Sequence, residues 1–269
     1  MTLFFFFACL PLYTSLLELN SLLIKMAFPN SPPITLIFDL GDVLFTWSSK
    51  TQTSISPKLF GKLRSTPTWE EYDRGEISQA TCYARLGEEF SIPSEEILEG
   101  FSQARKTLTT NEVLAEEIQQ LRTEQGHSIR AIAMSNIGKE DYQALREFHA
   151  DWSIFDRIFI SAEFGIRKPS LGFFTHVLSS IKANPKDCIF VDDKEDNILS
   201  ARSLGIRSIL FDSTENVIRQ MRNLLGDPVK RGQNYLAENA RRHVTTTNTG
   251  MEVTDNFSQL LMLEANCDT

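Results

Sequence analysis

The sequence predicts an α/β fold, in which a Rossmann-like parallel sheet carries a small helical cap inserted after its first strand. Ile34–Phe38 is a short apolar run between Pro33 and Gly41, which is typical of a strand covered on both faces. Strand and helix patterns then alternate between residues 111 and 225. Because strands that alternate with helices pair through right-handed crossovers, we expect the sheet to be parallel.

Composition narrows the class of protein. At 269 residues the chain can hold one large domain, or a domain with a small insert. The net charge of −8 argues against a general nucleic-acid binder, which would usually be basic. The cysteines are scattered, with no CxxC pair, so we expect reduced thiols and neither a zinc site nor a disulfide framework. They are Cys9, Cys82, Cys188 and Cys267.

Residues 1–25 are apolar but fit no standard targeting segment. Pro11 and Glu18 interrupt the apolar run, and a positively charged n-region is missing. Three interpretations remain open: a weak anchor, a poor signal, or upstream sequence added to a gene that begins at Met26. The last is the simplest, so we expect a dispensable extension, a cytoplasmic protein and no firm membrane association.

The cap is predicted between residues 48 and 110. Its sequence is polar, with apolar residues at helical spacing, and Pro57, Pro67 and Pro93 stand at expected helix starts. Trp47 and Trp69 are most simply cap–core contacts, although either could line a substrate pocket. The core is therefore predicted to comprise residues 34–47 and 111–225.

The core elements after the cap follow from apolar spacing and from glycine stops. Asn111 is expected to cap the first helix, whose buried stripe is Leu114, Ile118 and Leu121. The predicted order is a helix ending at Gly126, strand Ile129–Met134, helix Tyr142–Phe148, strand Arg157–Ser161, helix Leu171–Lys182, strand Cys188–Val191, a helix through Leu204, and strand Ile206–Phe211.

Residues 226–269 differ in character from the core. The stretch is first polar and locally basic without a core-forming period, so we expect a linker or surface tail. Near its end an apolar stripe appears, and a helix with such a stripe must bury it, most simply against the domain. The stripe consists of Phe257, Leu260, Leu261 and Leu263.

Polar groups follow four of the predicted strands. In an open parallel sheet these ends converge on one edge, where ligands bind. A carboxylate nucleophile, a hydroxyl, an ammonium and an acidic pair suit phosphoryl transfer, in which an aspartyl-phosphate forms and donors contact the phosphoryl oxygens. Oxygen ligands of this kind favour Mg²⁺ over zinc. The residues are Asp39, Ser135 with Asn136, Lys168, Asp192 and Asp193.

Four segments in order, FDLGDVLF, AMSN, RKPS and FVDDKEDN, resemble the motifs of the haloacid dehalogenase superfamily between about Ile34 and Phe211. The first motif and YDRGEIS look most like the DxG-type phosphatase branch, and the helical insert looks like its cap. The resemblance implies the following roles: Asp39 as nucleophile, Ser135, Asn136 and Lys168 as phosphate-binding residues, Lys168 also as a catalytic group, Asp39, the Gly41 carbonyl, Asp192 and Asp193 as Mg²⁺ ligands, and Asn197 as their orienting neighbour.

Gly41 departs from that pattern, because most phosphatases of this family have an acidic residue there as general acid and base. Its loss removes proton delivery to the leaving group, typically worth about 10²–10⁴-fold in rate. We expect strand alternation to direct the adjacent Asp42 away from Asp39. A leaving group that is already a weak base tolerates the loss, so we expect a preference for diphosphates or activated phosphates over simple alkyl esters.

A second resemblance concerns the substrate. The run FDLGDVLFTWS, with NFSQLLMLE near the end, is similar to the dehalogenase-like region that precedes the cyclase domain in fungal drimane-type sesquiterpene synthases. The sequence contains no DxDTT motif for protonation-driven cyclisation. We therefore expect a phosphatase-like relative that acts on a small phosphorylated substrate, such as a terpenyl phosphate or diphosphate.

Other functions remain open from the sequence. Asp192–Asp196 also fits the DDxxD pattern of ionising terpene synthases, but that pattern belongs inside a long helix and here follows a predicted strand. Gly41 leaves room for a non-catalytic module that binds a phosphorylated ligand or a partner protein. A dehalogenase would use Asp39 without a metal, which the acidic pair disfavours. The oligomeric state is not indicated.

Overall fold

The computed structural model describes residues 33–125 and 129–226. The expectations for residues 1–25, for Gly126 as a helix stop and for the tail beyond Gly226 lie outside the described residues. Within the described part, no helix is both long and apolar enough to cross a membrane.

A five-stranded parallel sheet forms the centre of the fold, as the sequence predicts. The strand order is β5-β4-β1-β6-β7, so the first strand is central and the chain extends to either side of it. The order reverses beside β1, which makes its carboxyl end the expected place for a ligand. The strands are β1 Ile34–Phe38, β4 Ile129–Ser135, β5 Arg157–Ile160, β6 Cys188–Asp192 and β7 Arg207–Leu210, and β2 Phe45–Thr46 pairs with β3 Thr109–Thr110 in a separate ribbon.

Helices cover both faces of the sheet and bury the apolar residues of the strands. On β1, Leu36 and Phe38 belong to one hydrophobic cluster and Ile37 belongs to the other. This alternation explains why the strand is uniformly apolar in sequence. The helices are α1 Pro57–Arg64, α2 Pro67–Asp73, α3 Gln79–Phe90, α4 Ser94–Arg105, α5 Glu112–Gln125, α6 Lys139–Arg146, α7 Ser161–Phe164, α8 Leu171–Ile181, α9 Glu195–Ser203 and α10 Thr214–Leu225.

Several predicted boundaries differ from the structure for local reasons. Ser135 and Asp192 are the last residues of their strands, and Ser161 begins α7 instead of ending β5. The helix expected at Tyr142–Phe148 begins earlier, at Lys139, because Gly138 is its N-cap. The helix α10 and the β2–β3 ribbon were not predicted from the sequence.

The four helices α1–α4 form the cap and have a hydrophobic cluster of their own. Serine or threonine caps the first three helices by accepting a backbone N–H, which satisfies donors that a helix start leaves unpaired. Pro57 and Pro67 occupy the first turn of α1 and α2, and Pro93 is the N-cap of α4. Aromatic rings fill the cluster: Phe60, Trp69, Tyr72, Tyr83 and Phe101, with Trp47 packed against them.

Tyr72 links the cap to the core. Its side chain is fully buried, and its hydroxyl accepts a hydrogen bond from the Asp141 backbone N–H at 3.2 Å. The ring lies so close to Gly138 that a Cβ at that position would overlap it. Nearby, the Ser161 hydroxyl donates to the Asp73 carbonyl at 2.5 Å. The end of α2 therefore contacts the loop that follows β4 without an intervening side chain at residue 138.

Candidate active site

Asp39 stands at the carboxyl end of β1, next to β6. Its backbone N–H donates to the Val191 carbonyl at 2.9 Å, which extends the β1–β6 pairing by one step. The Leu40 N–H donates to Asp39 Oδ1 at 2.7 Å. The carboxylate is thus fixed by the backbone at the point where the sheet order reverses, and the residue is only 9% exposed.

Lys168 brings a buried ammonium to this carboxylate. Its side chain is 1% exposed, and Nζ lies 3.0 Å from Asp39 Oδ1 and 2.6 Å from Asp192 Oδ2. The Asn136 side chain holds the backbone of Lys168 from both sides: its Oδ1 accepts the Lys168 N–H, and its Nδ2 donates to the Lys168 carbonyl, each at 2.8 Å. The loop after β4 therefore positions the lysine between two carboxylates.

Asp192 and Asp193 complete an acidic group with Asp39. One carboxylate oxygen from each of the three residues lies within 4.8 Å of the others. Asn197 Nδ2 and the Lys194 backbone N–H both donate to Asp192 Oδ1 at 2.8 Å, which orients that carboxylate. Three carboxylates at this separation are a donor set suited to Mg²⁺, which takes oxygen ligands.

For both Asp39 and Lys168, burial and the opposite charge of the partner shift the pKa in opposite directions. Burial raises the pKa of Asp39 to about 6, although Lys168 opposes the change, and the charges of Asp192 and Asp193 add to it. For Lys168, burial lowers the pKa, but attraction to Asp39 and Asp192 outweighs it, so the net direction is upward. The cluster contains more acidic than basic groups, and a cation beside them would relieve the excess negative charge.

The remaining predicted residues lie around this cluster. Ser135 is the last residue of β4 and is 4% exposed. Ala133 pairs with Phe38, so Ser135 lies two residues further along, beside the residues that follow β1. The Asn136 amide forms hydrogen bonds with the Lys168 backbone, so this side chain positions Lys168. Their phosphate-binding roles stay predictions.

Gly41 and Asp42 lie in a tight loop after β1 and not in an extended strand. Gly41 forms an isolated bridge with Phe45, and a Cβ at Gly41 would meet no atom within 4 Å. Asp42 has φ of 58°, in a turn closed by its N–H donating to the Phe45 carbonyl. The expectation that strand alternation sets the direction of Asp42 is therefore wrong, since no strand includes it.

Sequence reasoning did not single out Lys194, which the structure places at the site. Its Nζ lies 2.5 Å from Asp193 Oδ2, and its side chain is 64% exposed. Its place directly after the acidic pair in FVDDKEDN was the available signal. The segment Asp192–Asp196 begins at a strand end and only then enters α9, which is not the long helix that a DDxxD motif of a terpene synthase requires.

Known proteins resemble this chain over most of its length. A family profile described as haloacid dehalogenase-like hydrolase matches residues 37–211. Another, described as sesquiterpene cyclase astC-like C-terminal domain, matches residues 229–269. A sesquiterpene phosphatase from Aspergillus oryzae is 36% identical over 71% of this chain and 95% of its own length.

A longer relative and a solved structure complete the comparison. A drimenol cyclase from Aspergillus calidoustus is 41% identical over 87% of this chain, which spans only 44% of that relative. A structure described as a HAD family enzyme from Bacteroides thetaiotaomicron, solved with magnesium and inorganic phosphate, superposes with a TM-score of 0.57. That match covers 71% of this chain and 100% of the other at 18% identity, so it shows the fold alone.

Proposed function

The chain belongs to the haloacid dehalogenase-like hydrolase family, and on that premise we propose that it is a Mg²⁺-dependent phosphatase. The observation that carries the proposal is the buried Asp39 carboxylate, with the Lys168 ammonium 3.0 Å away and two further carboxylates in the same cluster. A nucleophilic carboxylate beside a fixed cation and a group of metal-ligand type suits attack on an anionic phosphate.

The proposed reaction has two steps. An oxygen of Asp39 bonds to phosphorus while the bond from phosphorus to the leaving oxygen breaks, and the electron pair departs with that oxygen. Water then attacks the phosphorus of the aspartyl-phosphate, and the bond between phosphorus and the Asp39 oxygen breaks with its electron pair restoring the carboxylate. The proton of the water leaves with the released phosphate. Lys168 offsets negative charge on the transferring group, and we propose that the Ser135 hydroxyl and the Asn136 backbone N–H donate to its oxygens.

The residues present fit the metal that the proposal requires. Asp39, Asp192 and Asp193 would hold Mg²⁺ through carboxylate oxygens, together with the Gly41 carbonyl. When bound, Mg²⁺ supplies positive charge that offsets the repulsion between an anionic nucleophile and an anionic phosphate. Lys168 Nζ contacts Asp192 Oδ2, and Asn197 Nδ2 donates to Asp192 Oδ1. Together these two contacts would hold the Asp192 carboxylate in a fixed orientation.

The substrate class that we propose is a small organic phosphate or diphosphate, with a terpenyl (sesquiterpene) group as the organic part. Support comes from the sesquiterpene phosphatase, which shares 36% identity with this chain over 95% of its own length. The drimenol cyclase relative points in the same direction. We place the reaction in the secondary metabolism of terpenoids.

We expect phosphate release from a library of sugar and prenyl phosphates and diphosphates to require Mg²⁺. Removal of the metal with EDTA should reduce the rate at least about 100-fold, and added Mg²⁺ should restore it, because the carboxylate cluster repels an anionic substrate. Colorimetric phosphate release is the measurement. Asp193→Asn should raise the Mg²⁺ concentration needed for half-maximal rate, and Asp187→Asn, an acid remote from the cluster, serves as the matched control.

Other outcomes of that screen identify the alternatives. If no compound releases phosphate but phosphorylated ligands still bind, the chain is a non-catalytic binding module, which Gly41 would explain. Halide release without a metal would instead indicate a dehalogenase.

Gly41→Asp should increase turnover of simple alkyl phosphates by about tenfold or more, because it restores a general acid near the leaving oxygen. The site has room, since a Cβ at residue 41 meets nothing within 4 Å. Diphosphate turnover should change much less, because its leaving group needs no proton. Gly41→Asn matches the shape without the acidity and should give no gain. An equal gain in both variants would contradict the proposed reason for diphosphate preference.

A further inference from the structure

Lys168 belongs to a tight turn between α7 and α8, which we call the lysine turn (residues 167–170). The Ser170 N–H closes it by donating to the Arg167 carbonyl at 3.0 Å. On the core side, the Asn136 amide fixes the backbone of Lys168. The lysine ammonium lies 3.0 and 2.6 Å from its two carboxylate partners. Because these short contacts depend on where the turn lies, the groups that hold the turn also determine the position of the ammonium.

Arg167, the residue before Lys168, is held by two carboxylates of the cap helix α2. Its Nη1 lies 2.6 Å from Glu70 Oε1, and its Nη2 lies 3.5 Å from Asp73 Oδ2. The Arg167 side chain is largely buried, and its Nε has no hydrogen-bond partner among the residues that the structure describes. The two cap carboxylates therefore fix the guanidinium of the lysine turn.

Asp73 is itself anchored to the core. Its side chain is buried, and burial raises the pKa of Asp73 to about 7, although the Arg167 guanidinium opposes the change. The Asp73 carbonyl accepts the Ser161 hydroxyl at 2.5 Å, and a Cβ at Gly75 would lie 2.6 Å from the Ala162 carbonyl oxygen. The end of α2 therefore packs directly on α7, the helix that precedes the lysine turn.

A second arginine joins the cap to the core at a different place. Arg105 Nη1 lies 2.8 Å from Asp141 Oδ1, and Asp141 is in the first turn of α6. Both arginines form a guanidinium–carboxylate bridge between cap and core. Of the two bridges, the one formed by Arg167 ends on the lysine turn, and the one formed by Arg105 ends on a helix after β4.

We propose that Arg167 is a positioning residue, held by Glu70 and Asp73 of the cap, that keeps the Lys168 ammonium at the phosphoryl group which Asp39 receives. The inference rests on the proposed phosphatase function and adds a role for the cap in placing the catalytic cation. A fixed cation acts mainly on the charge of the transition state, and a displacement of about 1 Å can cost about 10²-fold in rate. A loosened lysine turn should therefore slow phosphoryl transfer more than it weakens substrate binding.

Arg167→Met should lower kcat for phosphate release about 10- to 100-fold and change KM less than about threefold. The assay is run at pH 8.0, where Asp73 is mostly ionised. Arg167→Lys keeps a charge beside the cap carboxylates and should recover part of the rate. Arg105→Met removes the other bridge and is the matched control, with a loss of kcat below about threefold. Equal losses in Arg167→Met and Arg105→Met would overturn the proposal, because general loosening of the cap would explain both.

The cap carboxylates test whether Arg167 acts through them. Glu70→Gln combined with Asp73→Asn should reproduce most of the loss of kcat. Adding Arg167→Met to that pair should lower kcat little further, because residues that act as one unit are not additive. If the two losses multiplied in the triple variant, Arg167 would act independently of the cap and the proposal would be overturned.

The ¹H–¹⁵N signal of the Lys168 ammonium, recorded by NMR in the metal-free protein, separates this inference from the proposed function. Lys168→Arg assigns the signal by its disappearance. The signal should shift or broaden in Arg167→Met and stay unchanged in Arg105→Met. If it does so although no compound releases phosphate, the phosphatase proposal fails and the positioning role stands. If phosphate is released and Arg167→Met changes neither the signal nor kcat, the positioning role is overturned and the phosphatase stands.

Discussion

Asp39→Asn is expected to reduce phosphate release by about 10⁴-fold or more, because the amide cannot form the aspartyl-phosphate. The same substitution should make the metal-free protein more stable. Asp39 is buried against Asp192 and Asp193, and the Lys168 ammonium offsets part of its charge. An asparagine amide of the same shape keeps an oxygen that can accept the Leu40 N–H, and it removes the buried negative charge.

The pH dependence of that stability gain follows from the pKa of Asp39. The pKa is about 6 in the folded protein against 3.8 for an ordinary aspartate, so the folded state binds its proton more tightly. The associated stability is fully present below about pH 4 and is lost as the pH rises through about 6. Asp39→Asn should therefore be more stable than the wild type by up to about 3 kcal/mol above pH 6, and similar to it below pH 4.

Urea unfolding in EDTA at pH 4.0 and pH 8.0, together with phosphate release in Mg²⁺, measures both effects. Asp42→Asn is the matched control, since it changes an acid of the same loop and should alter neither. Retained phosphate release in Asp39→Asn would exclude the covalent mechanism. A loss of stability at pH 8.0 would show that the carboxylate–ammonium contact outweighs the cost of burying Asp39.

Lys168→Met should destabilise the protein by about 3–5 kcal/mol, because it removes one partner of a buried ionic group and leaves the others uncompensated. Asp39 and Asp192 would then face each other without the ammonium that lies 3.0 and 2.6 Å from them. Phosphate release should also fall by at least about 10³-fold, since the fixed cation beside the transferring group is lost.

Double substitution distinguishes a charge effect from a packing effect. Lys168→Met with Asp192→Asn removes one charge of each sign and should recover part of the lost stability, but none of the activity. Lys194→Met is the control, because its side chain is 64% exposed and exposed ion pairs contribute about 0–1 kcal/mol. If Lys168→Met and Lys194→Met lowered the free energy of unfolding equally, the buried ion cluster would contribute no more to stability than an exposed ion pair.

The convergence of Asp39, Lys168 and Asp192 could be predicted because the ends of parallel strands meet at one edge, and apolar runs locate those ends well. The hydrogen bonds of individual side chains could not be predicted in the same way. The amide of Asn136 is engaged with the Lys168 backbone, and this depends on how two loops approach each other.

One of the elements that the prediction missed has a recognisable signal in the sequence. Ser213 is the N-cap of helix α10 and its side chain accepts the Asn216 N–H, and the helix buries Val217, Met221 and Leu225 at helical spacing. The β2–β3 ribbon had no such signal, because two-residue strands are too short to show a period. Strand ends were misplaced by one residue where the last buried position is polar, as at Asp192.

The contact between Tyr72 and Gly138 limits how this protein could be re-engineered. A cap grafted from a relative would bring its own residue to position 72, while position 138 would stay with the recipient core. A smaller ring-free residue at 72 would leave a void beneath the graft, and any side chain at 138 would push a tyrosine out. A working chimaera must therefore exchange both positions as one unit, although 65 residues of chain lie between them.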